Sequence, residues 1–301
     1  MEVAFQSGKY ENKKQNKTVN DVYLQWLEAY KNTVKSTTAH GREYVYHRDF
    51  EEPFGKLSIN KITAHFLQKF INNYAETKVS YRKDLVVLKM IFDYAYKQEI
   101  ISDNLFSKII YPKTKSNEKD EKLKFYSKEE LLTFLNAMKK YNHQMCVICR
   151  VLAFGGLRIG EALALDWCDI NYNHININKT LVIYRKTREV VVNKPKTQNS
   201  YRTVDIDKET ANELHRLQAQ SNTSIVFPNN KKQYTTPVTF DGKISYFFKT
   251  HPNIKKITPH GLRHTHASLL FDSGASPKDV QLRLGHSKID TTLDIYTHHS
   301  I

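Results

Sequence analysis

At 301 residues the chain is too long for one small core and suits two domains, or three with a short arm. A hydrophobic content of 40% with 12% aromatics excludes wholesale disorder, and a net charge of +15 points to a polyanionic partner, nucleic acid first. No apolar run approaches the ~20 residues of a membrane helix, the polar N-terminus lacks a signal peptide's apolar centre, and three cysteines do not make a disulfide framework, so a cytoplasmic setting without membrane contact is expected.

Residues 1–17 are polar and lysine-rich and read as a flexible arm or a truncated remnant. Thr18-Val19-Asn20-Asp21 resembles a capping box and opens a helix carrying Val22, Leu24, Trp26, Leu27 and Tyr30. Further helices are expected from Thr37 to Phe50, Asn60 to Tyr74 and Tyr81 to Gln98, with a turn at Glu52 to Gly55 and a short piece from Asn104 to Ile110. Such lengths and short loops describe a helical bundle. From Pro112 to Lys122 the chain is charged and almost free of apolar residues, which marks a linker.

Ser127-Lys128-Glu129-Glu130 is a second capping box, opening a helix through Lys139. An apolar helix follows from Gln144 to Phe154, stopped by Gly155-Gly156, and another begins at Arg158 and runs to Leu165. Cys146 and Cys149 form a C-x-x-C inside the apolar run; a structural zinc site needs four ligands, so these read as core residues. The period then changes, and short strands are expected at Ile175 to Ile177, Thr180 to Tyr184, Val190 to Val192 and Thr203 to Ile206. Helices return at Lys208 to Gln220, Gly242 to Lys249, His260 to Phe271, Pro277 to Leu284 and Thr291 to His298. The fold class is therefore mainly α with one small antiparallel β-sheet in the second half, an α+β arrangement.

The chemistry concentrates near the C-terminus. Thr258 is an N-cap candidate and Pro259 suits the first helical position, so His260 and Arg263 share a face of the opening turns. A helix N-terminus offers free N–H groups and partial positive charge, and a guanidinium adds a fork for two phosphate oxygens. His286 follows Gly285 at the end of the next helix, and Tyr296 lies on the last one. A metal reading of His260 and His264, with His266, His298 and His299 near in sequence, is disfavoured: Arg263 repels a divalent cation and no carboxylate ligand accompanies them. His266 best suits a purely structural, hydrogen-bonded role. Upstream, Arg158 follows a glycine break with Glu161 placed either to orient it or to cap the helix, and Lys194 to Arg202 is a polar turn between strands bearing Lys194 and Lys196.

In chain order, G-L-R-I-G-E ending at Glu161, a lysine in the polar turn, H-G-L-R-H from His260, L-G-H ending at His286 and a terminal tyrosine resemble the tyrosine recombinases, the integrases of phages and mobile elements. The resemblance runs from the Thr18 helix through Tyr296. It implies a helical core-type DNA-binding domain over residues 18–111, a linker over 112–124 and a mixed catalytic domain over 125–301. It makes Arg158, Lys196, His260, Arg263 and His286 the catalytic set and Tyr296 the nucleophile, with Lys194 competing with Lys196 on spacing. The implied activity is site-specific cutting and rejoining of DNA through a 3′-phosphotyrosyl intermediate, for integration or excision of a mobile element, with no cofactor and no metal.

The partners it implies are double-stranded attachment-site DNA and a homotetramer on that DNA, with room for a directionality factor or a host DNA-bending protein. A type IB topoisomerase-like strand transferase and a non-catalytic DNA-binding protein are the alternatives. Phage-type relatives often carry a further N-terminal domain for arm-type sites and a C-terminal tail. Residues 1–17 are too short for the former, and the chain ends soon after Tyr296, so a core fragment or a member without these parts is expected.

Overall fold

The computed structural model describes residues 16–113, 125–184, 187–194 and 201–286, together with Ile289, Asp290, Thr292, Leu293 and Thr297. They fall into two compact units, one reaching to Lys119 and including the stretch Tyr184–Arg188, the other formed by Asp120–Ile183 and Glu189–Ile301.

The first unit is helical. Helix α1 (Val19–Lys31) opens on a complete capping box, with the Asp21 backbone donating to Thr18 Oγ1 at 3.1 Å and the Thr18 backbone donating to Asp21 Oδ2 at 2.9 Å. Its buried residues Val19, Val22, Tyr23, Trp26 and Leu27 repeat at three and four, which is one stripe of the helix. They meet α2 (Ser36–Asp49), where Tyr46 stacks on Tyr23 with ring centroids 3.6 Å apart, and α5 (Tyr81–Lys97). The expected turn at Glu52 is instead a short helix α3 (Glu51–Phe54), because a proline in a first turn gives up no helical hydrogen bond. Helix α4 (Ala64–Thr77), capped by Thr63, completes the bundle. Asp49 accepts hydrogen bonds from Tyr74 (2.7 Å) and Lys78 (2.5 Å), tying α2 to α4.

The second unit is built around α7 (His143–Gly155), which packs on α6 (Lys128–Tyr141), α9 (Lys208–Ala219) and α11 (Pro259–Asp272). Being buried on nearly every side, α7 is apolar almost throughout, and Cys146 and Cys149 are core residues within it. The helix expected from Arg158 to Leu165 is a single turn, α8 (Ile159–Ala162). It stops there because the next backbone pairs elsewhere: Leu165 O accepts from Val226 N at 3.0 Å, and Trp167 N donates to Ser224 O at 2.8 Å.

The single expected sheet is two among the described residues. Strands β1 (Ile170–Asn171), β2 (His174–Ile177) and β5 (Arg202–Asp205) form one antiparallel sheet in the order β1-β2-β5, and β3 (Thr180–Ile183) pairs with β4 (Val190–Asn193) in the other. Strands β4 and β5, which flank the polar stretch from Lys194 to Arg202, belong to different sheets: β5 takes Ile175 opposite Val204, and β4 pairs with β3. Residues 195–200 of that stretch lie outside the described residues. Helix α10 (Pro237–Thr250) begins well before Gly242, since Thr236 caps it and Pro237 fits its first turn. Helices α11 and α12 (Pro277–Leu284) follow as expected, and most of the helix expected from Thr291 to His298 lies outside the described residues.

Candidate active site

Helix α11 starts as its sequence requires, with Thr258 Oγ1 accepting from Gly261 N at 3.0 Å and Pro259 in the first turn. One turn on, Arg263 points inward and is only 1% exposed. Its Nη1 donates to Gly156 O at 2.7 Å and its Nη2 to Leu284 O at 2.6 Å. Both acceptors sit at helix C-termini, where carbonyls lack intrahelical partners and carry partial negative charge. Each helix ends on a left-handed glycine, Gly156 after α7 and Gly285 after α12, both at φ 66°. Burial first, then Arg158, draws the Arg263 pKa from 12.5 down to about 9, which leaves it charged at neutral pH.

A second arginine arrives from α8. The Arg158 backbone donates to Glu161 Oε2 at 2.9 Å, its Nη1 to Glu161 Oε1 at 2.8 Å, and its Nη2 to Gly285 O at 3.0 Å. Glu161 thus both caps the helix and orients the guanidinium. Arg202, the first residue of β5, donates from Nη2 to the same carboxylate at 2.9 Å and from Nε to Arg283 O at 2.9 Å. Burial alone would raise the Glu161 pKa, yet Arg202 and Arg158 hold it below the usual carboxylate value. Gly160 leaves no room for a side chain, since a Cβ there would lie 2.8 Å from Leu181 O.

Four histidines surround the arginines in different states. His286 follows Gly285; it is buried, and its Nδ1 lies 2.9 Å from Thr292 Oγ1. Burial and then Arg263 and Arg158 lower its pKa to about 3. His260 is exposed on the first turn of α11, and loss of water, then Arg263 and Arg158, lower its pKa too. His264 packs edge-on against His260 with centroids 4.2 Å apart, and its Nδ1 has no hydrogen-bond partner among the described residues. His266 is structural: its Nδ1 lies 3.0 Å from Ala153 O, and its Nε2 accepts from Arg283 Nε at 2.9 Å. That pairing fixes the neutral tautomer with the proton on Nδ1. The whole arrangement is a cationic cluster with neutral imidazoles beside it, suited to binding an oxyanion and moving protons.

Of the residues singled out from the sequence, Arg158, His260, Arg263 and His286 lie in this cluster. Lys196 and Tyr296 lie outside the described residues, and Lys194 is exposed just after β4. The sequence reading did not single out Arg202 or Arg283. Neither had a local signal, because Arg202 is defined by Glu161, 41 residues away, and Arg283 by His266, 17 residues away, and by the Asp205 carbonyl, 78 residues away. Among the described residues no helix is long and apolar enough to cross a membrane, and no group of three or more His, Cys, Asp or Glu is arranged to hold a metal ion.

Comparison with known proteins bears on the same segments. The phage integrase family profile matches residues 124–301, and the phage integrase N-terminal SAM-like domain matches residues 18–74. The ICEBs1 integrase of Bacillus subtilis (strain 168) is 30% identical over 273 residues, covering 85% of this chain and 72% of that protein. Among solved structures, the Tn1549 transposon integrase in complex with a circular intermediate DNA superposes with a TM-score of 0.76 at 21% identity, over 92% of this chain and 94% of that one. A lambda integrase tetramer bound to a Holliday junction does so with a TM-score of 0.65 at 14% identity, over 93% and 78%. Those two likenesses carry the fold, a helical N-terminal unit followed by a mixed one. A tyrosine recombinase XerC-like protein of Caldanaerobacter subterraneus is also 30% identical, over 94% of this chain and 80% of that protein. With a family profile matching over half the chain and relatives 30% identical, the chain belongs to the phage integrase family and is a tyrosine-type site-specific DNA recombinase.

Proposed function

We propose that this recombinase integrates or excises a mobile element by using Tyr296 to attack a scissile phosphate. The phenolic oxygen forms a bond to phosphorus while the bond to the 5′-oxygen breaks, giving a 3′-phosphotyrosyl link and a free 5′-hydroxyl. A phenol of pKa near 10 is a poor nucleophile at neutral pH, so His260 takes its proton. Lys196, or Lys194 in its place, returns a proton to the departing 5′-oxygen. Arg158 and Arg263 stabilise the charge that builds on the non-bridging oxygens, and His286 bonds one of them. The covalent link conserves the phosphodiester's energy, so a 5′-hydroxyl from a partner strand reverses the step without ATP.

The observation that carries this reading is the meeting of two guanidiniums with depressed-pKa imidazoles, the Arg263 guanidinium keeping a buried Nε–H without a partner among the described residues. A buried donor of that kind favours an incoming acceptor, and a phosphate oxygen is one. In the same reading, residues 18–111 bind core-type DNA, 112–124 link, and 125–301 carry the chemistry. The enzyme acts as a homotetramer on paired attachment sites inside a bacterial cell, with a directionality factor or DNA-bending protein as an accessory partner. The ICEBs1 relative, an integrase by name, supports the mobile-element role.

Tyr296→Phe tests the chemistry. On duplex DNA carrying the element's own attachment site, the wild type is expected to form a denaturation-resistant protein–DNA adduct and the variant none. An adduct from the variant removes Tyr296 as nucleophile, and no adduct from the wild type removes the reading. Strand exchange between two differently marked duplexes separates a recombinase from a topoisomerase, which relaxes DNA without exchanging partners.

A further inference from the structure

The Glu161 carboxylate lies in the middle of the arginine cluster, and a carboxylate there is a liability. It is buried, it sits against Arg158 at 2.8 Å and Arg202 at 2.9 Å, and Arg263 Nη1 is 4.0 Å away. Left with Arg158 as its only close partner, Glu161 would cancel the charge of the arginine it orients. It would also repel the phosphate, which becomes more negative as attack proceeds. Arg202 changes this balance. Its side chain is 7% exposed, against 40% for Arg158, so it is placed for the carboxylate and not for a DNA strand. Its Nε bond to Arg283 O fixes it to the end of α12, just before the Gly285–His286 corner. Arg158 Nη1 donates to Glu161 Oε1, Arg202 forks over both oxygens with Nη1 at 3.3 Å from Oε1 and Nη2 at 2.9 Å from Oε2, and three guanidiniums then share one carboxylate.

We propose that Arg202 is a positioning residue that serves as the counter-ion of Glu161, so that Glu161 orients Arg158 without consuming the charge Arg158 and Arg263 present to the scissile phosphate. The inference rests on the reading above, in which those two arginines hold that phosphate. It assigns Arg202 no contact with DNA or with the reacting atoms. A purely structural arginine, by contrast, would matter equally whatever charge Glu161 carried.

The test is a double-mutant cycle in the full chain on a labelled duplex carrying the element's attachment site, read as the rate of covalent adduct formation at saturating DNA and, separately, as the dissociation constant. Arg202→Gln is expected to slow adduct formation about 30- to 100-fold while the dissociation constant moves less than about threefold. Arg202→Lys, which keeps the charge, is expected to recover at least about tenfold of that loss. In a Glu161→Gln background, where no carboxylate needs compensating, adding Arg202→Gln is expected to cost less than about threefold. An Arg202→Gln rate equal to wild type overturns the inference. So does Arg202→Lys as slow as Arg202→Gln, or a loss in the Glu161→Gln background as large as in the wild type. Where Arg202→Gln alone fails to fold, Arg202→Lys against the wild type and Arg202→Gln against the Glu161→Gln parent still decide the matter: a full-rate Arg202→Lys and a loss under about threefold support the inference, and a loss of about 30-fold or more in the Glu161→Gln background overturns it. Absence of any adduct from the wild type would instead strike the catalytic reading, so the two failures are distinguishable.

Discussion

Arg263 Nη1 donates a 2.7 Å hydrogen bond to the carbonyl oxygen of Gly156, and Gly156 accepts it from a left-handed backbone at φ 66°. The two residues lie in different motifs of the sequence, yet each depends on the other. The left-handed glycine ends α7, and its carbonyl and that of Leu284 draw the guanidinium into a site otherwise costly for a charge. A Cβ on Gly156 would lie 2.5 Å from His266 Cδ2 and 2.9 Å from Leu284 Cδ2. Gly156→Ala therefore combines left-handed strain of about 1–2 kcal/mol with overpacking of about 1–3 kcal/mol. A loss of about 2–5 kcal/mol is expected in urea unfolding; an unchanged midpoint would remove this account of the glycine.

Arg263→Lys separates charge from geometry. A lysine keeps one positive charge but cannot bond two carbonyls at a helix end and still offer a planar fork to phosphate. Adduct formation is expected to fall about 10²- to 10³-fold. Stability should fall by about 1–3 kcal/mol, because buried carbonyls are left without their donor. A rate within about threefold of wild type would show that Arg263 is not a phosphate ligand.

How much of this was readable from the sequence depends on the range of the interaction. The capping boxes at Thr18 and Ser127 are local, and both helices begin where those residues predict. Proline at a first turn is also local, and Thr236-Pro237 starts α10 five residues before the Gly242 start that the periodicity predicts. Strand β1 has two residues and leaves no period to detect. The pairing of β5 with β2, Val204 opposite Ile175, joins strands that are not consecutive in the chain, and no local pattern encodes it. Arg158, His260, Arg263 and His286, which the structure brings into one cluster, each sit in a short motif and so stand out in the sequence. Arg202 does not, because its partner Glu161 lies in another sheet-and-helix segment.

The buried histidines make stability depend on pH in a defined direction. Burial, followed by Arg283, draws His266 from 6.5 to about 3; burial and Arg263 draw His286 to about 3; burial and His260 draw His264 to about 4. In the unfolded chain each titrates near 6.5. Between those values the unfolded state binds more protons, so stability rises with pH there. The contribution is complete above about pH 6.5 and is lost as the pH falls toward the folded values, at up to about 1.4 kcal/mol per unit for each histidine. Asp49 and Glu213, with pKa values of about 2, add their own loss only as carboxylates begin to protonate at lower pH. Unfolding measured from about pH 7 to 5 is expected to show a falling midpoint, and His266→Gln a shallower fall. A flat midpoint across that range would contradict the depressed values.

Salt dependence separates the residues that meet DNA from those that only arrange them. A chain of net charge +15 that neutralises phosphates releases counterions, so log K should fall linearly with log salt. Six to ten phosphate contacts would give a slope of about −5 to −9 and a loss of about 10³- to 10⁵-fold between about 50 and 200 mM salt. The half-exposed Arg158 faces the strand in the proposed reading, so Arg158→Ala should make the slope shallower by about one. Arg202 is buried against Glu161, and the proposed counter-ion role gives it no phosphate contact. Arg202→Gln should leave the slope within about half a unit of wild type while the adduct rate falls. A slope that changes as much for Arg202 as for Arg158 would mean that Arg202 reaches the DNA itself, and its place would then be in the phosphate cage and not behind it.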